Sequence, residues 1–316
     1  MLQLIRPAIK PELITGEYFV RNYEKYLSRY VSKSRPSEET LKAYRQGIRQ
    51  YLSWCEVNGL DPINVTDFEI RVYVENLYRR GLKDATVSLY LASVRTFYNM
   101  ASKLGIIMKN PSDDVTVPNS RDQRYEYYTP SQIRKIYEVI MEEDNEFKRT
   151  RNLTIFFLMA VQGLRSIEVQ RLNDEDISFS PRRIFIRGKG HSDYVYPCDD
   201  TINVIVEYMI ARGDVKKEYN LTPTIVNSHT GKRLDKRTIT RLTSEFLTQA
   251  GLKIQGTSCH SLRHSCGTNL YAQTKDIRLV QTTLRHKSPE ETARYVHEVE
   301  MQEKQATQCI SPLQIK

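Results

Sequence analysis

Apolar residues recur every three or four positions along most of the first hundred residues, and single glycines interrupt the pattern. This period is typical of helices with one buried face, and a glycine often follows the end of a helix. The pattern predicts a compact domain of four helices. They are expected over residues 15–31, from Ser37 as the cap to about Asn58, between Asp67 and Gly81, and from Asp84 to Gly105.

The stretch 110–128 has two prolines, three aspartates and few aliphatic residues, which is typical of a linker. The residues that follow, Thr129 to Gln132, form a capping-box pattern with proline at the first helical position. A second domain is therefore expected to begin there. The predicted division is an N-terminal domain over 1–115, a linker over 116–128 and a C-terminal domain over 129–316.

The second domain is predicted to be mostly helical, with one small region of strands. Residues 152–161 are nearly all apolar and indicate a buried helix. Residues 183–187 and 193–197 indicate two strands joined by a glycine-containing turn. The fold class expected for the whole chain is thus mainly α with a small antiparallel β-sheet. Further helices are predicted at about 200–212, 236–250, 260–272, 275–285 and 289–298.

Charge and composition narrow the classes of partner. The formal net charge of +9 favours a polyanion, most simply nucleic acid. An acidic membrane surface is the alternative, but no single basic amphipathic stretch supports it. No apolar run approaches the roughly 20 residues needed to span a bilayer, and Pro7 breaks the short apolar start too early for a signal peptide. We therefore expect a cytoplasmic protein without membrane contact.

Basic residues of the N-terminal helices have two interpretations. Lys42, Arg45 and Arg49 lie away from the apolar stripe of their helix. They form either a solvated face or a surface that faces DNA, and the net charge favours the second interpretation. We assign Lys42, Arg45, Arg49 and Arg95 as candidate DNA contacts of this domain.

Candidate reactive groups occur in separate segments of the second domain. Arg165 follows Gly163 at the predicted start of a helix, where the helix dipole favours an anion. Lys189 lies between two glycines in the predicted strand turn. Tyr295 lies about two turns into a helix that begins with a strong start signal, Ser288 to Glu291. Each of these residues alone is more often structural or solvated than functional.

His260 and Arg263 are three residues apart and therefore share one helix face. An imidazole and a guanidinium on one face can hold two oxygens of one phosphate. The alternative is a metal pair formed by His260 and His264. Ser261, however, occupies the position of the glutamate in the zinc-protease motif, and no third ligand is evident. The five scattered cysteines also contain no C-x-x-C pair, so neither a metal site nor a disulfide framework is predicted.

Taken in this order and spacing, the segments resemble the tyrosine recombinase (phage integrase) family over nearly the whole chain. Members have a helical core-binding domain of the SAM-like type, a linker and a catalytic domain with the ordered set Arg, Lys, His-x-x-Arg, His or Trp, Tyr. The resemblance assigns the matching positions of this chain as catalytic. They are Arg165, Lys189, His260, Arg263, His286 and Tyr295, with Glu168 as the supporting acid.

The resemblance implies site-specific cleavage and rejoining of duplex DNA through a 3′-phosphotyrosyl link on Tyr295. His260 is the first candidate for the base, and the family assigns proton donation to the strand-turn lysine, Lys189. Glu168 would orient the basic residues. No cofactor, ATP or metal is expected. One departure is Arg285, where the family usually has glycine before His286; we expect it either to contact DNA or to change how the last helix docks.

The resemblance also implies partners. These are double-stranded DNA with specific sites, a homotetramer that pairs two sites through a Holliday junction, and accessory DNA-bending proteins. Residues 302–316 would dock onto a neighbouring subunit. The short N-terminal domain favours a simple Xer-type or resolvase-type recombinase over a large phage integrase. Two alternatives remain at this point: a type IB topoisomerase, and a DNA-binding regulator without catalysis.

Overall fold

The computed structural model describes residues 14–31, 36–117, 126–188, 192–286 and 288–305, without the side chains of Glu290, His297, Glu298 and 301–305. The chain separates into two compact units, Met1–Gln123 and Arg124–Lys316. Both units are mainly helical, and the second contains a small sheet. The predicted fold class is therefore confirmed.

The first unit consists of short and long helices, and side chains cap the first turns of some of them. Ser37 accepts a hydrogen bond from the backbone of Thr40 at 3.3 Å, and Glu69 accepts one from the backbone of Thr66 at 2.8 Å. Each bond satisfies a backbone donor that the first helical turn leaves unpaired. The helices are α1 (Gly16–Asn22), α2 (Glu24–Leu27), α3 (Glu38–Val57), α4 (Asp67–Arg79) and α5 (Asp84–Lys103).

The single helix predicted over 15–31 is divided into α1 and α2, which meet at Tyr23. Phe19, Tyr23 and Leu27 are all buried. Because these residues are spaced by four, one apolar stripe continues across the break, and the apolar period alone cannot locate it.

Aromatic residues fill the core of the first unit. Tyr51 and Tyr98 are fully buried, and their hydroxyls lie 2.5 Å apart. Helices α3 and α5 pack closely here because Gly47 faces Ser93, where an added Cβ would lie 2.4 Å from the serine oxygen. The abundant tyrosines of this region are thus mostly packing residues.

Helix α7 lies at the centre of the core of the second unit, and its residues from Thr150 to Ala160 are nearly all buried. Helices α6, α9 and α11 pack against α7, and α13 packs against α11 and α12. Its helices are α6 (Pro130–Met141), α7 (Glu146–Ala160), α8 (Ser166–Arg171), α9 (Asp199–Arg212), α10 (Lys236–Gln249), α11 (Cys259–Thr274), α12 (Ile277–Leu284) and α13 (Pro289–Gln305). Across the described ranges, none of the helices is long and apolar enough to cross a bilayer.

The sheet has three antiparallel strands in the order β1 (Ile177–Phe179), β2 (Arg182–Arg187) and β3 (Ser192–Val195). The last two correspond to the two predicted strands. Strand β1 was not predicted, since only three residues form it and too few positions show an alternation. Arg187 pairs with Ser192 at one end of the two strands.

Candidate active site

Arg165 lies at the start of α8, directly after a turn that only glycine fits. Gly163 has a φ of +63°, and an added Cβ would lie 2.4 Å from Leu284 Cδ2. After this turn, the backbone N–H of Arg165 donates to Glu168 Oε2 at 2.8 Å, and Arg165 Nη1 donates to Oε1 at 3.1 Å. The side chain of Arg165 is 31% exposed, whereas that of Glu168 is 3% exposed. Glu168 therefore holds Arg165 on its buried side, while part of the guanidinium remains exposed to solvent.

Glu168 also binds Arg285. Arg285 Nη2 lies 2.9 Å from Glu168 Oε2, both side chains are only 3% exposed, and Arg285 Nη1 donates to the carbonyl of Thr283 at 3.1 Å. Burial acts to raise the pKa of Glu168, but Arg285 and the other donors outweigh it and hold that pKa below its usual value. The ion pair joins the last helices to α8. The predicted contact of Arg285 with DNA stays a prediction.

Arg263 connects three segments of the site. Its guanidinium donates to the carbonyls of Gly163 and Leu284, and the residue is 4% exposed. Burial, followed by repulsion from Arg165, lowers its pKa to about 10. A guanidinium has five N–H donors, so these two contacts leave others for a ligand.

His260 lies in the first turn of α11, where its backbone N–H donates to the capping Ser258 at 3.3 Å. Partial burial of the imidazole lowers its pKa first, and the nearby cations Lys236, Arg263 and Arg165 lower it further. The imidazole is therefore neutral at pH 7, and it lies in electrostatic reach of both predicted arginines.

Tyr295 lies on the buried side of α13 and is only 1% exposed. Its ring is stacked on that of His286, with 5.8 Å between centroids and an angle of 13°. Its hydroxyl lies 3.2 Å from His264 Nδ1. Burial raises the pKa of Tyr295, and the nearby Arg294 and Arg263 offset this only in part. The hydroxyl is thus protonated at neutral pH.

Two residues of this site were not predicted as parts of it. His264, considered above only as a metal ligand, contacts the hydroxyl of Tyr295. Thr292 Oγ1 lies 2.9 Å from His286 Nδ1 and orients that ring. Burial is the largest cause that lowers the pKa of each imidazole, His264 and His286, to about 3. The spacing of three residues between Thr292 and Tyr295 was the one available signal, since such residues share a helix face.

Lys189 lies outside the described residues. The described strands on either side, β2 and β3, pair antiparallel. The role predicted for Lys189 therefore stays a prediction.

The basic residues predicted to face DNA in the first unit have different surroundings. Lys42 is exposed. Arg45 forms ion pairs with Glu24 and Glu38, and Arg49 pairs with Glu24 at 2.7 Å. Arg95 donates to backbone carbonyls in the segment after α5, including that of Ser112 at 3.4 Å.

Arg95 thus stabilises that segment in this structure. Lys42, Arg45 and Arg49 all lie on α3, and two of them share their charge with acids. In the part of the chain that is described, no group of three or more His, Cys, Asp or Glu side chains is placed to hold a metal ion.

Comparison with known proteins matches parts of both units to one family. Residues 126–302 match the family model described as "Phage integrase family", and residues 22–105 match "Phage integrase, N-terminal SAM-like domain". The chain is 30% identical over 290 residues to "Tyrosine recombinase XerC" of Syntrophus aciditrophicus (strain SB), with 86% of this chain and 91% of that protein covered. It is 28% identical over 267 residues to the "Tyrosine recombinase" of Thermosipho africanus (strain TCF52B), with 83% and 90% covered.

The fold resembles that of solved structures as well. The XerH site-specific recombinase bound to palindromic difH substrate, in a post-cleavage complex, superposes with a TM-score of 0.76 at 20% identity. That match covers 93% of this chain and 94% of the XerH chain.

Proposed function

This chain belongs to the phage integrase family, the tyrosine recombinases that cleave and rejoin DNA strands, and from that premise we propose that Tyr295 is its nucleophile. The phenolic oxygen attacks the phosphorus of a DNA phosphodiester and the bond to the 5′ oxygen breaks. The products are a 3′-phosphotyrosyl link and a free 5′ hydroxyl. A 5′ hydroxyl of the partner strand reverses the step, so the bond energy is conserved and no ATP is consumed.

The observation that carries the proposal is the convergence of three separate segments, those of Arg165, Arg263 and His286, on Tyr295. Arg165 and Arg263 both lie close enough to lower the pKa of Tyr295, and His286 is stacked on its ring. Negative charge builds on the non-bridging phosphate oxygens during the reaction. Fixed guanidinium donors at these positions stabilise that charge more strongly than water does, because they need no reorientation.

Glu168 has the role of a positioning residue in this proposal. It binds both the backbone and the side chain of Arg165 and is itself neutralised by the buried Arg285. Held on one edge, the guanidinium of Arg165 presents a fixed fork toward the phosphate.

Proton transfers complete the scheme. The departing 5′ oxygen needs a proton, for which we assign Lys189 on the family pattern. His260 is neutral at pH 7, because partial burial and the surrounding cations lower its pKa. It is therefore in the form that can accept a proton from the tyrosine.

We further propose that the substrate is a pair of specific duplex DNA sites. A tetramer would hold the two sites and exchange their strands through a Holliday junction. Residues 302–316 would dock onto a neighbouring subunit, and DNA-bending proteins would be accessory partners. Structurally similar proteins have been solved as DNA complexes, such as the lambda integrase dimer bound to a COC′ core site. The net charge of +9 supports a polyanionic substrate here.

The direct test is to replace Tyr295 with phenylalanine, which keeps the ring and removes the attacking oxygen. A nicked suicide substrate traps the covalent complex, which a denaturing gel shows as a shifted band. Tyr271→Phe on the neighbouring helix α11 is the matched control and should keep the band. A band that persists in Tyr295→Phe would show that another residue is the nucleophile.

A further inference from the structure

The hydroxyl of Tyr295 is withdrawn from the surface in this DNA-free structure. The residue is 1% exposed, although the proposed chemistry requires its oxygen to touch a phosphate that arrives from outside. In-line attack needs the reacting atoms within about 3–3.5 Å of each other. Tyr295 therefore has to leave its present position before cleavage.

Two features of α11 form a seat for the withdrawn ring. His264 Nδ1 lies 3.2 Å from the tyrosine hydroxyl. One turn further, Gly267 provides the space for the ring, because an added Cβ would lie 2.8 Å from Tyr295 Cζ and 2.9 Å from Cε1. On another side, His286 is stacked on the ring.

The proton in this contact belongs to the tyrosine. Burial first, then the nearby Arg294, His260 and Arg263, lower the pKa of His264 to about 3, while burial raises that of Tyr295 above its usual 10.0. Transfer of the proton to His264 is thus strongly unfavourable in this position. The phenol donates and the neutral imidazole accepts, so the contact holds the hydroxyl without ionising it.

We propose that His264 is a positioning residue that holds Tyr295 withdrawn in the seat beside Gly267 until DNA is bound. The inference rests on the proposed role of Tyr295 as nucleophile. A neutral hydrogen bond contributes roughly 0.5–1.5 kcal/mol net. Its loss should therefore shift the equilibrium toward released tyrosine about fivefold.

The kinetic test compares single-turnover cleavage of the suicide substrate by His264→Phe and by wild type. The Phe variant keeps a ring of similar size but no acceptor, and it should cleave about fivefold faster. His264→Asn places an amide near the position of Nδ1 and should return the rate toward that of wild type. His229→Phe, on an exposed loop, is the matched control and should leave the rate unchanged. A rate for His264→Phe equal to or below that of wild type would overturn the proposal.

Exposure of Tyr295 without DNA gives an independent measure. Tetranitromethane nitrates exposed tyrosines, and mass spectrometry of the peptide that contains Tyr295 gives its extent of nitration. His264→Phe should increase nitration, and His264→Asn should not. Gly267→Ala should also increase it, because the new methyl group displaces the ring. Equal nitration of Tyr295 in wild type, His264→Phe and Gly267→Ala would contradict the proposed seat.

The two proposals fail in different ways. Nitration involves no DNA, so it reports on the seat even if Tyr295 is not the nucleophile. A covalent band that persists in Tyr295→Phe refutes the proposed function alone. Unchanged nitration and unchanged cleavage in His264→Phe refute the role of His264 alone.

Discussion

Arg285→Gly has two opposite effects on the stability of the second unit, one on backbone strain and one on a buried ion pair. Arg285 ends α12 in the left-handed conformation, with φ 55° and ψ 47°, which glycine adopts without the steric penalty of a Cβ. Relief of that strain stabilises the variant by about 1 kcal/mol. The same change removes a buried cation from Glu168, and breaking a buried ion pair costs about 3–5 kcal/mol.

The lower end of that range applies here, because Glu168 keeps two donors from Arg165. The loss of about 3 kcal/mol and the gain of about 1 kcal/mol leave a net destabilisation of about 2 kcal/mol. Arg285→Ala keeps the strained backbone and loses the pair, so it should be about 1 kcal/mol worse than Arg285→Gly. Cleavage should also fall, because Glu168 would orient Arg165 less firmly.

Urea unfolding measures these differences. The single tryptophan, Trp54, lies on α3 in the first unit, so its fluorescence reports on that unit and should not change. Circular dichroism reports on the helices of both units, and the effect should appear there alone. Arg278→Ala, on the exposed side of α12, is the control and should change stability by less than about 0.5 kcal/mol.

The pH dependence of the free energy of unfolding tests whether Glu168 is the carboxylate responsible. The folded-state pKa of Glu168 is lowered, so the ionised form stabilises the fold above the unfolded value of about 4.3, and this stabilisation is lost as the pH falls through the folded pKa. The difference between wild type and Arg285→Gly should be full at pH 7 and shrink below about pH 4. An Arg285→Gly protein as stable as wild type at pH 7 would refute the argument from the buried pair.

Three further predictions concern catalysis and binding. Arg165→Lys should lower the cleavage rate by at least roughly 100-fold, because lysine lacks the planar fork; near-normal cleavage would contradict this. Binding to duplex DNA should weaken steeply with salt through counterion release, and a titration with a slope near zero would exclude a DNA clamp. Lys189→Ala should bind DNA but cleave slowly, and a substrate with sulfur at the bridging 5′ position should restore its rate because sulfur leaves without a proton. The same substrate should not rescue Arg263→Ala, and if it rescues neither variant, Lys189 is not the acid.

Helix positions were predictable where the signal lies within a few residues. Ser37 and the box formed by Thr129 and Gln132 act through contacts three positions apart in the chain, at 3.3 and 2.9 Å. Such contacts are visible in the residue order alone. The break at Tyr23 was missed because the apolar stripe continues through it.

The candidate site was predictable in its residue types but not in its contacts. The predicted phosphate contact of Arg263 with His260 follows from their spacing, but its contacts with the carbonyls of Gly163 and Leu284 do not. Arg285 and Glu168 are separated by 117 positions, and nothing near either residue indicates that they pair. Contacts of this range depend on how α8, α11 and α12 pack, which no local pattern encodes.

The charges of the site explain why a phosphate is the ligand that fits it. Arg165, Arg263 and Arg285 lie around a single carboxylate, Glu168, whose pKa all three lower. Three positive charges therefore face one negative charge. Among the described neighbours, His286 adds no charge at neutral pH, since burial, followed by Arg263, Arg294 and Arg165, holds its pKa at about 3. A phosphodiester supplies the negative charge that would balance these arginines, and its desolvation is offset by donors that are already fixed. The same excess of cations favours the developing phenolate of Tyr295 once the ring has left its seat, so substrate binding and activation of the nucleophile depend on one electrostatic arrangement.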